Sequence, residues 1–213
     1  MDHGFIFKHP DIPQEKLDIY DARKEPFQIY GLYQPKEPGI FKRMPTQIAQ
    51  TVSKRVHLLH TNTAGGRIRF VTDSPILAVG AAYPPMEFPS ARTAAFAGAG
   101  AFSFDLYADG QHVRVLWPME LTQRGSVVSF DIPDGHYEGF CELGEKKFRQ
   151  ITLNFPSFVN IRDVYIALQK GSEVKAAPAY QNQNPLCFTD RPLPKAHAHR
   201  TAAIFIKTSY PGS

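Results

Sequence analysis

A few side chains in this sequence have the types and spacing that chemistry needs. His57 and His60 lie three residues apart, which on a helix sets both imidazoles on one face. A metal centre would require a third ligand and a hydrogen-bonding shell behind it, and the spacing supplies neither. His197-Ala198-His199 repeats the ligand-like pairing, but in a segment with no strand or helix period. Cys141 stands in an alternating apolar stretch with no basic cluster or helix N-terminus nearby to favour the thiolate, so it reads as a buried core thiol. Asp105 falls between Phe104 and Leu106 on the opposite face of a strand pattern. It is either a carboxylate facing a groove or a structural one held by backbone or by Arg43, Arg67 or Arg69, and the structural role is preferred. No G-x-S-x-G elbow occurs, and no local grouping pairs a nucleophile with a base. Neither a metal nor a cofactor is expected.

The elements that must position these groups are mostly strands. Phe102, Phe104 and Leu106 alternate with Ser103, Asp105 and Tyr107; Asp109-Gly110 supplies two residues that tolerate positive φ; and Val113 and Val115 alternate on the return. This is a β-hairpin near the middle of the chain. Strands are expected on both sides of it: Phe27 to Leu32, around Ile68 and Phe70, Ile76 to Ala82, Val127 to Ile132, Tyr137 to Leu143, Arg149 to Phe155 and Val164 to Leu168. Ile76 to Ala82 is nearly all apolar, as a strand covered on both faces would be. Ser53 is a fitting N-cap for a short helix over residues 54–60, the one helix of note. Residues 1–25 carry Pro10, Pro13 and mixed charges and read as a loosely packed arm. About eight or nine short strands separated by turn signals define an all-β fold, a jelly-roll-like antiparallel sandwich with one short helix.

At 213 residues the chain can form one sizeable domain, and 43% apolar with 12% aromatic residues fits a folded globular protein. No run approaches the roughly 18 apolar residues that span a bilayer, so no membrane partner is expected. The stretch Met1 to Lys8 lacks a leader's apolar region, and two cysteines cannot build a disulfide framework, so the expected compartment is the cytoplasm. Of the net +4 charge, the segment from Cys187 onward carries four basic residues against the single acid Asp190. The body is nearly neutral and offers no footprint for nucleic acid. Taken alone, these residues describe a binding or structural β-sandwich.

Several blocks together carry a resemblance. They are Arg43-Met44-Pro45; Asn62-Thr63-Ala64-Gly65-Gly66-Arg67-Ile68-Arg69-Phe70 with Thr72-Asp73-Ser74-Pro75; Phe104-Asp105-Leu106-Tyr107 with Asp109-Gly110; and Ile151-Thr152-Leu153-Asn154-Phe155-Pro156. In this order they resemble the N-terminal β-sandwich of a group of SGNH (GDSL-type) hydrolases, the domain named for its G-x-D-L-Y motif. The resemblance spans residues 26–185, and Ser103 stands where the motif has glycine. It implies an accessory domain of a serine esterase acting on acyl esters, with acylated carbohydrates or related small acyl esters as the expected substrate class. The expected partner is the catalytic domain. Tyr83, Met86 and Phe88, in a proline-rich loop, together with Trp117, are the candidate substrate contacts. Phe104, Asp105, Leu106, Tyr107, Asp109 and Gly110 are expected to be structural. A second reading is a stand-alone carbohydrate-binding sandwich, with Tyr83, Phe88 and Trp117 stacking on sugar rings.

In that family a Gly-Ser-Ser-Ile-Thr-like block with the nucleophilic serine follows the sandwich. Here the approach through Asn184-Pro185-Leu186 is right, but Cys187-Phe188-Thr189-Asp190-Arg191 is not that block. Starting each codon on the third base of the printed residues' codons from Cys187 leaves two bases of every shifted codon largely fixed and only the wobble base free. With permitted synonymous choices the shifted frame reads FYGSSITQGACASHRGNIYQNFISR, the expected block and a first helix. Residues 186–213 are therefore expected to be an out-of-frame, disordered tail. The family's Ser, its His from an Asp-x-x-His block and its oxyanion donors would all lie in the missing domain, leaving no catalytic residue in this chain.

Overall fold

The computed structural model describes residues 5–9, 11–84, 102–116 and 135–180. A short 3-10 turn (Gln14–Lys16) leads into β1 (Leu17–Asp21) and β2 (Gln28–Tyr30); two helices follow, α1 (Thr46–Val52) and α2 (Lys54–Leu59). Then come β3 (Arg67–Thr72), β4 (Ile76–Ala82), β5 (Phe104–Ala108), β6 (Gln111–Leu116), β7 (His136–Glu142), β8 (Arg149–Asn154), β9 (Asp163–Gln169) and β10 (Val174–Lys175). They form two antiparallel sheets. One has the order β1-β9-β4-β7; the other runs β10-β3-β8-β5-β6, with β2 also paired to β3.

The alternation in the sequence decides which side chains meet between the sheets. Ile68, Phe70, Phe104, Leu106, Ile151 and Leu153 point inward from the larger sheet against Leu77, Val79, Tyr137, Val164, Ile166 and Leu168 of the smaller one. Cys141 lies in this core, a free thiol opposite Leu77, and burial pushes its pKa up. The expected all-β sandwich is what the chain builds.

Strand β4 is covered on both faces, as its composition predicts, and the cover on its outer side is the N-terminal segment. Phe5, Phe7, Ile12 and Leu17 pack on Ala78 and Ala167 in a second apolar cluster. Phe5 stacks on His136 (4.7 Å, 6°) and on Tyr165 (4.7 Å, 28°), directly above Gly80. The carboxylate of Glu138 accepts the backbone N–H groups of Lys8 (2.5 Å) and His9 (2.9 Å) and a bond from the His136 ring. Of the segment 1–25 expected to be a loose arm, Phe5, Phe7, Lys8, His9, Ile12 and Leu17 are packed on the smaller sheet or bonded to it. Prolines and mixed charge in this stretch hide the fact that its apolar residues serve a surface elsewhere.

The helix expectation is corrected too. Ser53 does cap α2, its side chain accepting from the Val56 N–H at 3.1 Å. But α1 precedes it, starting from Pro45 with no side-chain cap and burying only Ala49. Without a cap signal or a continuous buried stripe, its sequence carries little helical signature. The strand expected over residues 127–132 lies outside the described residues.

Candidate functional site

The motif hairpin lies in the larger sheet, and its turn shows why Asp-Gly stands there. Asp109 (φ 50°) and Gly110 (φ 81°) both occupy the left-handed region, as a two-residue hairpin turn requires. Asp109 then ties the turn to β8: its N–H donates to the Gln150 carbonyl at 2.9 Å, and its Oδ1 accepts the Gln150 N–H at 2.8 Å. Phe104 and Leu106 are fully buried. Asp105 and Tyr107 alternate to the outer face, where pairing aligns two rows. The first reads Tyr30, Arg67, Asn154, Asp105, Val115; the second reads Gln28, Arg69, Thr152, Tyr107, His112.

This polar and aromatic face is where the chain leaves the sandwich. After β10, Arg69 donates through Nη1 to the Pro178 carbonyl at 3.0 Å, and its guanidinium carbon lies 4.0 Å from the Tyr180 ring centroid. Tyr180 meets Tyr30 edge-on at 5.2 Å, and the Arg67 Nη1 lies 3.5 Å from its hydroxyl. Arg69 is 4% exposed, an arginine buried because its charge is carried by a carbonyl and two π faces. Sequence reasoning noted Arg69 only as a partner for Asp105 and missed Tyr30 and Tyr180, since nothing in their spacing joins them.

Asp105 is half-buried, and burial pushes its carboxyl pKa up, opposed in part by His112. Two of its expected partners are engaged elsewhere: Arg69 with Pro178, and Arg43 with the Leu59 carbonyl. Arg67 shares its row, one strand beyond Asn154. The other candidates also hold structure. His57 and His60 stack at 5.2 Å, but His60 is buried with its ring nitrogens set against the Thr46 hydroxyl (3.1 Å) and the His57 carbonyl. Among the described residues no three metal-ligating side chains come together. Tyr83 is buried, its hydroxyl donating to the Phe102 carbonyl at 3.2 Å and its ring edge-on to Tyr137. It occupies the core instead of facing a cleft, and burial raises its pKa well above the ordinary phenol value. Met86, Phe88, Trp117, Cys187, His197 and His199 lie outside the described residues.

The remaining motif blocks are joined to one another. The Thr63 hydroxyl donates to the Pro156 carbonyl at 2.7 Å, and the Phe155 N–H donates to the Gly66 carbonyl at 2.9 Å. Gly31 (φ 77°) is pressed so closely on the Gly65 carbonyl that a Cβ would sit 2.1 Å from its oxygen. The Ser74 hydroxyl donates to the Ile76 carbonyl at 2.6 Å and accepts the Gln169 N–H at 3.0 Å. A serine so engaged, and wholly buried, is not poised as a nucleophile. An open groove of about 650 Å³ between β6 and β7 is lined by Asp11, Val113, Arg114, Phe140, Cys141 and Glu142, but its thiol is the buried one described above.

Fold and site together define a β-sandwich module in which the motif residues just described bond within the scaffold, while Arg69 and Arg67 hold the segment after β10. The sequence model for the GxDLY N-terminus of SGNH hydrolase-type esterases matches residues 17–174, and the chain belongs to that family. Among solved structures it is similar to a protein described as a GDSL-like lipase from Bacteroides ovatus, with TM-score 0.56 and 18% identity over 76% of this chain and 43% of that one. It is also similar to SsfX3, a salicylyl-acyltransferase from a tetracycline biosynthetic pathway, with TM-score 0.50 and 16% identity over 78% and 43%. The likeness to both is one of fold, and the chain spans less than half the length of either. No curated protein shows significant sequence similarity to it. Among the described residues no helix is long and apolar enough to cross a membrane.

Proposed function

We propose that this chain is the accessory sandwich of a cytoplasmic SGNH-type serine esterase acting on acyl esters, carbohydrate esters foremost, and that alone it is inactive. The observation that carries this reading is the fate of the motif residues. Thr63, Gly66, Ser74, Asp109 and Asn154 all serve the fold, so the family signature marks a support and leaves the chemistry to another domain. The parent enzyme would use a serine activated by histidine, with oxyanion donors aimed at the developing charge. That serine belongs to the Gly-Ser-Ser block legible one frame away beyond Leu186. Residues 26–185 are then the working domain and residues 186–213 the out-of-frame end.

Sequencing the encoding DNA is the first test, with an open third-base frame containing the Gly-Ser-Ser block expected. A frame that closes at once overturns the frameshift. The second is hydrolysis of p-nitrophenyl acetate: the chain as it stands is expected to match a heat-treated control, and the frame-restored chain to turn over. Turnover by the present chain would refute its inactivity.

A further inference from the structure

Two features of the sandwich converge on one end of it. The first is the direction in which the chain leaves. Val174 pairs with Thr72 and Lys175 with Val71; Pro178 is then held by Arg69, and Tyr180 lies beside Arg67. The segment thus follows β3 backwards, from Thr72 to Arg67, and so heads toward the end where residues 60–66 join β3 to α2.

The second feature is what stands there. The helices α1 and α2 bury only Ala49 between them, while Ile48, Val52 and Leu58 are 54%, 61% and 60% exposed. Ile48 and Val52 share a face at i,i+4, and Leu58 shares one with Lys54 and Arg55. No acidic residue occurs between Glu37 and Asp73, a stretch holding Lys42, Arg43, Lys54, Arg55, Arg67 and Arg69. The pair is nonetheless firmly held, with the Arg43 N–H donating to the His60 carbonyl at 2.8 Å and Thr46 against His60. An ordered surface that exposes aliphatic side chains beside cations is suited to an apolar contact with an acidic rim.

We propose that the α1–α2 pair is the docking surface for the ester-hydrolase domain that follows the sandwich, and that the facing surface of that domain is apolar with an acidic rim. This rests on the function proposed above. The exit segment delivers the following domain to this end, Ile48, Val52 and Leu58 supply the apolar contact, and Lys54 and Arg55 select the acidic rim. The Arg69–Tyr180 contact sets the starting direction.

The test compares backbone hydrogen exchange in the present chain with that in the frame-restored chain. In the present chain, Ile48→Ser/Val52→Ser/Leu58→Ser is expected to lower apolar-dye fluorescence at an unchanged melting midpoint; unchanged fluorescence overturns the proposal. In the restored chain, amides over residues 46–60 are expected to exchange at least about ten-fold more slowly. Lys54→Glu/Arg55→Glu should reverse that slowing while the exchange of β3 and β8 stays put. An active restored esterase with unchanged exchange at 46–60 overturns this inference and leaves the proposed function standing. A shifted frame without a hydrolase, read from the DNA, overturns both. Dimerisation of the restored chain through these residues would name a second copy as the occupant. Pelleting of the restored chain with phosphatidylglycerol vesicles, lost in Lys54→Glu/Arg55→Glu, would name a lipid surface. Either result overturns the proposal.

Discussion

Replacing Gly80 by alanine tests the docking of the N-terminal segment most directly. A Cβ at Gly80 would lie 2.1 Å from Phe5 Cε1 and 2.3 Å from Cζ, so the ring must move. Phe5 is 7% exposed, and burial of such a side chain contributes about 1.5–3 kcal/mol. Its stacks on His136 and Tyr165 add about 0.5–1.5 kcal/mol each when intact. Against this loss stands the entropy recovered as residues 5–9 loosen, about 1–2 kcal/mol for each backbone unit freed. Alanine is also better than glycine inside a strand by about 0.5–1 kcal/mol. Because the segment is docked, its contacts outweigh that entropy, and the net expectation is that Gly80→Ala destabilises the chain by less than the roughly 1.5–3 kcal/mol of Phe5's burial. In a Phe5→Ala background the obstacle is gone and only the strand preference remains, so the same substitution should stabilise by about 0.5 kcal/mol. Urea unfolding of the four variants, with the slope checked for constancy, gives the coupling energy. The reasoning is refuted if Gly80→Ala costs the same in both backgrounds, because the methyl would then be clashing with something other than Phe5.

Three further outcomes are expected. Burial alone would raise the pKa of Glu138, but the bonds from His136, Lys8 and His9 outweigh it and hold it below the ordinary value; the stability it lends is therefore present above the unfolded carboxylate pKa of about 4.3 and is lost as pH falls through the lower folded value. NMR signals of the Lys8 and His9 amides should report release of the segment in acid, and Glu138→Gln should abolish that pH dependence. Ser103 is buried and its hydroxyl has no partner among the described residues, so Ser103→Ala should raise stability by about 1 kcal/mol in thermal unfolding. Tyr180→Ala removes the ring that Arg69 and Tyr30 pack on, and limited proteolysis should then cut nearer Pro178 with the sandwich intact.

Most of the sandwich was legible because its strands are half-buried and their alternation is short-range information. Phe104-Asp105-Leu106-Tyr107 shows its inner and outer faces in four letters, and Asp109-Gly110 announces the turn. The failures share a physical cause. Strand β1 reads Leu-Asp-Ile-Tyr-Asp and divides its apolar residues between two clusters, Leu17 and Ile19 outside and Tyr20 inside, so no single face stands out. Helix α1 leaves Ile48 and Val52 exposed, so its apolar residues do not trace a buried stripe. The Arg69–Tyr180–Tyr30 cluster unites positions far apart in the chain, and only the register of β2 and β10 on β3 brings them together. Residues that serve a surface outside their own element are the ones local pattern misplaces.

The same distinction explains why the motif is a poor guide to chemistry although it is a good guide to family. In this chain the blocks touch one another. Gly65 and Gly66 give the backbone clearance beside Gly31 and meet Phe155; Thr63 reaches Pro156; Asp109 closes the hairpin onto Gln150; Thr72 accepts the Ser74 N–H at 3.2 Å and donates to the Glu173 carbonyl at 2.7 Å. Apart from the local Ser74–Thr72 bond, these contacts cross between segments distant in sequence, and where one is buried, as at Thr63, a change at one end strands a polar group at the other at a cost of about 1–3 kcal/mol. Such mutual dependence ties these residue types to one another through the fold, without any substrate being involved. Asp105 is the exception within the motif, a half-buried carboxylate on the outer face whose neighbours in the row are Asn154 and Val115 and whose pKa burial raises. A core role cannot account for an acid at that position, since Asn154 and Tyr107 beside it are also only partly buried. The acid shares its outer-face row with Arg67, one strand beyond Asn154.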